Sequence, residues 1–195
     1  MTQGTHASDE STGNGDIALV NLSANENPLP PSPRVVSVIS EHLHSLNRYP
    51  DKDGVDLRKL IADKLRVEPG NVVLGNGSSE VLDLAARAFL LAGDEAVLGF
   101  PAFVSYQSVV EKAHGTKVIV PLKGYRFDLD LMAQKITAKT RLIILANPNN
   151  PTGTTINRDE LDRFLARVPD EVVTVVDEAY HEYVQQPDFP DALDY

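Results

Sequence analysis

Residues that can bind an anion follow the apolar run NVVL in this 195-residue chain. The stretch GNGSSE places two glycines and the hydroxyls of Ser78 and Ser79 just before a segment with helical periodicity. Backbone N–H groups at a helix N-terminus attract anions, and phosphate suits such a site. The stretch therefore indicates a phosphate site, while a serine N-cap on a glycine turn explains the same residues without any ligand.

Aromatic, amide and carboxylate groups follow three further apolar runs. Phe103 comes after EAVLGF, where its ring can stack on a planar ligand or join the core. Asn150 lies in ANPNNPTG, and its amide both donates and accepts hydrogen bonds, although the stretch is also typical of a bare turn. Asp177 and Tyr180 belong to DEAY. If the carboxylate of Asp177 is buried, it needs a cationic partner; the alternative is a solvated loop acid beside a half-buried tyrosine.

A phosphate cradle, a stacking ring, an amide, a carboxylate and a phenol together match a phosphorylated aromatic cofactor with a protonatable ring nitrogen. Pyridoxal phosphate is such a molecule. Its ring withdraws electrons best when the nitrogen is protonated, and a buried carboxylate such as Asp177 keeps the proton there. Asn150 and Tyr180 would then bond the ring hydroxyl.

Helix-like and strand-like segments alternate from Arg34 to the end of the chain. Such alternation predicts an α/β fold with a mainly parallel sheet and helices on both faces. Ligands bind beyond the carboxyl ends of the strands in folds of this kind, where the residues above lie. The predicted strands are NVVLG, EAVLGF, TKVIVPL, RLIILA and EVVTVVD.

The composition excludes several classes of function. A net charge of -10 opposes binding to nucleic acid or to an anionic membrane surface, and no apolar stretch is long enough to cross a bilayer. The absence of cysteine excludes thiolate chemistry and suits the cytoplasm. His42 and His44 are two residues apart on a predicted helix and face different directions, so we expect no metal site.

From Leu22 to Val184 the chain resembles the class I/II pyridoxal-phosphate aminotransferases of fold type I, and among them the histidinol-phosphate aminotransferases. The resemblance implies that Ser78 and Ser79 hold the cofactor phosphate and that Phe103 stacks on the ring, where family members often carry tyrosine. It implies that Asn150 and Tyr180 bind the ring hydroxyl and that Asp177 pairs with the pyridine nitrogen. The motifs that carry it occur in this order: LSANENP, RYPD, GNGSSEVL, GFPAFVSY, ANPNNPTG and VVDEAYHEYV.

The resemblance also implies roles for the N-terminal region. Tyr49 of RYPD would reach the phosphate of the partner subunit in a homodimer, and Asn25 and Asn27 would lie near the substrate. We expect residues 1–16 to form a disordered tail and residues 17–33 an extended arm, because the tail has few apolar side chains and the arm is rich in proline.

Residues 34–195 would then form part of the large cofactor-binding domain. The Schiff-base lysine of the family is expected beyond Tyr195, so no catalytic lysine is assigned in this chain, and the small C-terminal domain is expected to be absent. The expected reaction is transamination between histidinol phosphate and 2-oxoglutarate. Three alternatives stay open: transamination of aromatic amino acids, a pyridoxal-phosphate decarboxylation, and a non-catalytic chain that binds the cofactor or a partner.

Overall fold

The computed structural model describes residues 23–195, which divide into two compact units at Lys52 and Asp53. The tail expected at residues 1–16 lies outside the described residues, as does the part of the expected arm before Ser23. Among the described helices, none is both long enough and apolar enough to pass through a bilayer.

The first unit contains an irregular segment followed by helix α1, Pro33–His42, and a single 3₁₀ turn, Leu43–Ser45. Ser32 begins α1, since its side chain accepts a hydrogen bond from the N–H of Val35 at 3.3 Å. Pro33 follows at the first helical position, where its missing N–H costs nothing. The extended arm expected at residues 17–33 stays a prediction.

The second unit alternates helices with parallel strands, as the sequence predicts. Short irregular segments separate the elements, and each of the first three strands is followed by an α-helix. The elements are α2 (Val55–Leu65), α3 (Gly77–Phe89), β1 (Glu95–Phe100), α4 (Ser105–Lys112), β2 (Thr116–Pro121), α5 (Leu129–Gln134), β3 (Thr140–Ala146), α6 (Arg158–Leu165) and β4 (Val173–Asp177).

The four strands form one parallel sheet in the order β2-β1-β3-β4. The two central strands, β1 and β3, are almost completely buried, which explains why their sequences are apolar on both faces. The register pairs Ala146 of β3 with Asp177 of β4, so these two strands end together. The carboxyl ends of β1, β3 and β4 therefore lie at one edge of this sheet. The sequence associates these strand ends with cofactor chemistry; the segment NVVL, which has the same association, is not part of the sheet.

The prediction of a strand at NVVLG is wrong. Residues 72–75 follow a 3₁₀ turn, Pro69–Asn71, and pair with no other strand in the part of the chain that the structure describes. Val72 is buried and Val73 is exposed, so the run is packed on one side only. β-branched residues favour a strand only when a neighbour supplies the hydrogen-bonding ladder.

Gly99 near the end of β1 allows the ring of Phe127 to approach the strand backbone, and any side chain at position 99 would prevent this approach. A Cβ atom at this position would lie 2.1 Å from Cε1 of Phe127, inside van der Waals contact. The Phe127 ring is buried, so it has little freedom to move away. Glycine therefore lets the segment before α5 cover the strand directly beside the sheet edge.

Replacing Asn157 with alanine should destabilise the second unit by about 1 kcal/mol. Asn157 caps α6 by accepting a hydrogen bond from the N–H of Glu160 at 2.9 Å, and Glu160 returns one to the N–H of Asn157. Urea unfolding would measure the loss. The exposed Asn71 is a matched control, and an equal loss from Asn71→Ala would contradict the capping role.

Candidate functional site

Four of the predicted site residues line a single cleft: Phe103, Asn150, Asp177 and Tyr180. They come from three separate motifs and follow strands β1, β3 and β4. The carboxyl ends of neighbouring parallel strands meet at one edge of the sheet, which explains how the fold gathers them. A fifth lining residue, Tyr106, was not singled out from the sequence.

The enclosed part of the cleft is small. Its volume is about 40 Å³, whereas pockets that surround a whole small molecule measure roughly 300–1,000 Å³. The cleft therefore admits the edge of a planar ring, and the remainder of a ligand would extend beyond the enclosed volume.

Asp177 is the last residue of β4 and is held at both carboxylate oxygens. Oδ2 accepts a hydrogen bond from the hydroxyl of Tyr106 at 2.8 Å, and Oδ1 accepts one from the N–H of Ala179 at 3.1 Å. The carbonyl oxygen of Asp177 also accepts from the N–H of Asn147 at 2.9 Å. Two neutral donors thus hold the partly buried carboxylate, one at each oxygen.

Tyr106 connects α4 to this carboxylate. Its side chain is only 2% exposed, and its ring meets the ring of Phe103 edge-on, with centroids 5.8 Å apart and planes at 84°. Burial, and then the nearby negative charge of Asp177, raise the pKa of the Tyr106 hydroxyl, so it stays a proton donor. Sequence gives one signal for this residue: it lies three positions after Phe103, about one helical turn away.

The loop that carries Asn150 is fixed by two buried asparagines. The side chain of Asn147 bonds both backbone groups of Ile156, donating to its carbonyl oxygen at 3.0 Å and accepting from its N–H at 2.8 Å. Asn149 donates through its amide to Thr152 at 2.9 Å and to the carbonyl oxygen of Pro101 at 3.2 Å. ANPNNPTG is therefore a braced turn, and its brace holds Asn150 at the cleft.

Ser78 and Ser79 are exposed in the first turn of α3 and do not line the cleft. Asn76 precedes the helix without a side-chain capping bond, and its amide N–H donates to the carboxylate of Glu80 at 2.7 Å. The first N–H groups of α3 are thus left without that cap. The Ser79 hydroxyl lies 3.4 Å from that of Ser105, which begins α4 beside Tyr106.

The carboxylate of Glu80 lies at the same end of α3. Hydrogen bonds from the backbone and then from the side chain of Asn76 hold the pKa of Glu80 below its usual value. This acid remains ionised next to the serines. A bound phosphate would therefore share the start of α3 with one negative charge already present.

The remaining predicted residues, Asn25, Asn27 and Tyr49, belong to the first unit. Tyr49 is fully exposed, and the Asn27 side chain accepts a hydrogen bond from the N–H of Leu29 at 2.9 Å. The roles in substrate binding and in the partner subunit stay predictions. Within residues 23–195, no cluster of three or more histidine, aspartate or glutamate side chains has the form of a metal site.

A larger, open groove of about 570 Å³ lies elsewhere in the second unit and shares no lining residue with the cleft. It is bordered by the segment before α5, residues 154–156 and α6. Two ion pairs cross it, Arg126 with Glu160 at 2.7 Å and Arg167 with Asp130 at 2.6 Å. The charged side chains of the groove are partly exposed and paired with each other, whereas the polar groups of the cleft line a common space. Size alone therefore does not identify the functional site.

The parallel sheet and the cleft at its edge define a class of protein. The chain belongs to the family described as aminotransferase class I and II, whose model matches residues 17–194. The predicted fold class is therefore confirmed, and so is the resemblance on which it rested.

Its relatives include histidinol-phosphate aminotransferases. The chain is 48% identical to histidinol-phosphate aminotransferase 2 of Methylococcus capsulatus over 183 residues, which cover 91% of this chain and 49% of that protein. It is 41% identical to the enzyme of Caldicellulosiruptor saccharolyticus over 175 residues, covering 90% and 49%. The chain thus spans about half the length of the curated relatives it matches.

A solved relative carries a ligand. The crystal structure of histidinol-phosphate aminotransferase from Sinorhizobium meliloti in complex with pyridoxal-5'-phosphate superposes with a TM-score of 0.80 at 28% identity. The match covers 86% of this chain and 46% of that one.

Proposed function

We propose that this chain forms the cofactor-binding part of a pyridoxal-phosphate aminotransferase that acts on histidinol phosphate and 2-oxoglutarate. The observation that carries the proposal is the cleft at the strand ends, where Phe103, Asn150, Asp177 and Tyr180 converge. Identity of 41% and 48% to proteins named histidinol-phosphate aminotransferase supports the choice of amino donor.

The donor set of the cleft fits pyridoxal phosphate. A carboxylate suits a protonated pyridine nitrogen, an amide and a phenol suit a ring hydroxyl, and an aromatic face suits the ring itself. The uncapped start of α3 suits a phosphate, and the hydroxyls of Ser78 and Ser79 add two donors there. When bound, the cofactor supplies an electron sink that stabilises negative charge on a substrate carbon.

Each of the predicted cofactor-binding residues then has a defined role. Asp177 would hold a proton at the ring nitrogen, because a nearby anion favours the charged form of that group. Asn150 and Tyr180 would orient the ring through its oxygen, and Phe103 would cover one face and exclude water from it. Ser78 and Ser79 would bind the phosphate.

We further propose a cytoplasmic homodimer in which Tyr49 binds the partner subunit's cofactor phosphate and Asn25 and Asn27 lie near the substrate. The cysteine-free composition supports the compartment, because cytoplasmic proteins do not depend on disulfides. The exposure of Tyr49 is compatible with a role outside its own subunit.

Product analysis tests the reaction. The complete gene product that contains this chain should form one glutamate for each histidinol phosphate consumed with 2-oxoglutarate, and it should require pyridoxal phosphate. Preferential use of aromatic amino acids would contradict the proposed donor, and release of carbon dioxide would contradict transamination. Failure to retain pyridoxal phosphate in equilibrium dialysis would overturn the cofactor assignment.

A further inference from the structure

We propose that Tyr106 is a positioning residue, which holds the carboxylate of Asp177 in the orientation that the cofactor ring nitrogen requires. This inference rests on the proposed function. It is carried by two contacts of one buried side chain: the hydrogen bond from its hydroxyl to Oδ2 of Asp177 at 2.8 Å, and its edge-on contact with Phe103.

Two hydrogen bonds hold the carboxylate of Asp177, one at each oxygen. Tyr106 donates to one oxygen and the N–H of Ala179 donates to the other. Each carboxylate oxygen can accept two hydrogen bonds, so the carboxylate retains capacity for the N–H of a protonated ring.

The hydroxyl of Tyr106 also constrains the direction of the carboxylate. The bond joins α4 to β4 across 71 positions of sequence, and Tyr106 is almost completely buried. A charge-assisted bond from a buried side chain holds one carboxylate oxygen and therefore limits rotation of the group. The ring of Tyr106 also contacts the ring of Phe103. One residue therefore contacts both the proposed stacking ring and the carboxylate of Asp177.

A purely structural role for Tyr106 makes a different prediction. A ring that only fills the core would stabilise the unit without any relation to the ring nitrogen of a ligand. Tyr106→Phe separates the two roles, because it keeps the aromatic ring and removes only the hydroxyl. The second comparison is between two ligands: pyridoxal phosphate, and an analogue in which a C–H replaces the ring nitrogen. A difference in their binding reports the contact with the nitrogen alone.

The test is equilibrium dialysis of both ligands against the complete gene product. We expect Tyr106→Phe to weaken binding of pyridoxal phosphate by about tenfold, which is typical for a lost hydrogen bond to a charged group. Binding of the nitrogen-free analogue should change less than about twofold, because the analogue offers Asp177 no N–H. Tyr125→Phe, the same change at an exposed tyrosine, should affect neither ligand.

A double variant tests whether Tyr106 acts through Asp177. In an Asp177→Asn background, Tyr106→Phe should weaken pyridoxal phosphate binding by no more than about twofold, because the two changes remove one shared interaction. A full additional tenfold loss would overturn the proposal, and so would equal losses for both ligands or no loss for either. If the unsubstituted protein binds neither ligand, the proposed function itself fails and this inference fails with it.

Discussion

Replacing Asp177 with asparagine is expected to reduce turnover by roughly a thousandfold while the fold is retained. Asparagine has the same shape and can still accept the hydrogen bond from Tyr106, but it carries no charge to hold a proton at the ring nitrogen. An adjacent anion shifts the pKa of a basic group by about 1–3 units, and the larger value corresponds to about 4 kcal/mol. The variant loses this stabilisation of the protonated ring nitrogen.

Steady-state kinetics of the complete gene product at saturating cofactor would measure this loss, with thermal unfolding recorded in parallel. Asp63→Asn, the same change at an exposed position of α2, is the matched control and should keep ordinary turnover. Turnover of Asp177→Asn within about tenfold of the unsubstituted enzyme would show that the carboxylate does not act on the ring nitrogen.

Replacing Ile144 with alanine is expected to destabilise the protein by about 2–5 kcal/mol. Ile144 lies in β3, between β1 and β4, and its side chain is 1% exposed. Alanine removes three carbon atoms and leaves a cavity that the packed sheet and helices cannot close. A loss of this size is a large fraction of the 5–15 kcal/mol that usually stabilises a protein of this kind.

Chemical unfolding in urea would give the change in free energy. Ile119→Ala on the outer strand β2 is the matched control, because that side chain is 40% exposed and should cost less than about 1.5 kcal/mol. Equal losses from the two variants would contradict the assignment of β3 to the centre of the core.

The strands and the cleft were predictable because both depend on local sequence signals. Apolar runs that end in unusual residues fixed the positions of Phe103, Asn150 and Asp177 along the chain. Parallel strands then bring their carboxyl ends together whatever their order in the sheet. This is why three motifs separated by dozens of residues line one cleft in the structure.

Tyr106 and the segment NVVLG were not predictable, because each depends on distant parts of the chain. Nothing in the sequence around Tyr106 indicates that its hydroxyl meets a carboxylate 71 positions later. Val72 and Val73 have the composition of a strand, but a strand requires a paired neighbour, and local composition does not report whether one exists.

The hydrogen bond from the N–H of Asn147 to the carbonyl oxygen of Asp177 belongs to the last pair of the ladder between β3 and β4, Ala146 with Asp177. The backbone of the proposed proton-holding residue is therefore part of the sheet and does not belong to a separate loop. Amide hydrogens in such a ladder exchange with solvent only when the surrounding structure opens. Exchange of the Asn147 amide hydrogen would therefore report how often the sheet opens at the point where the proposed proton-holding residue is anchored.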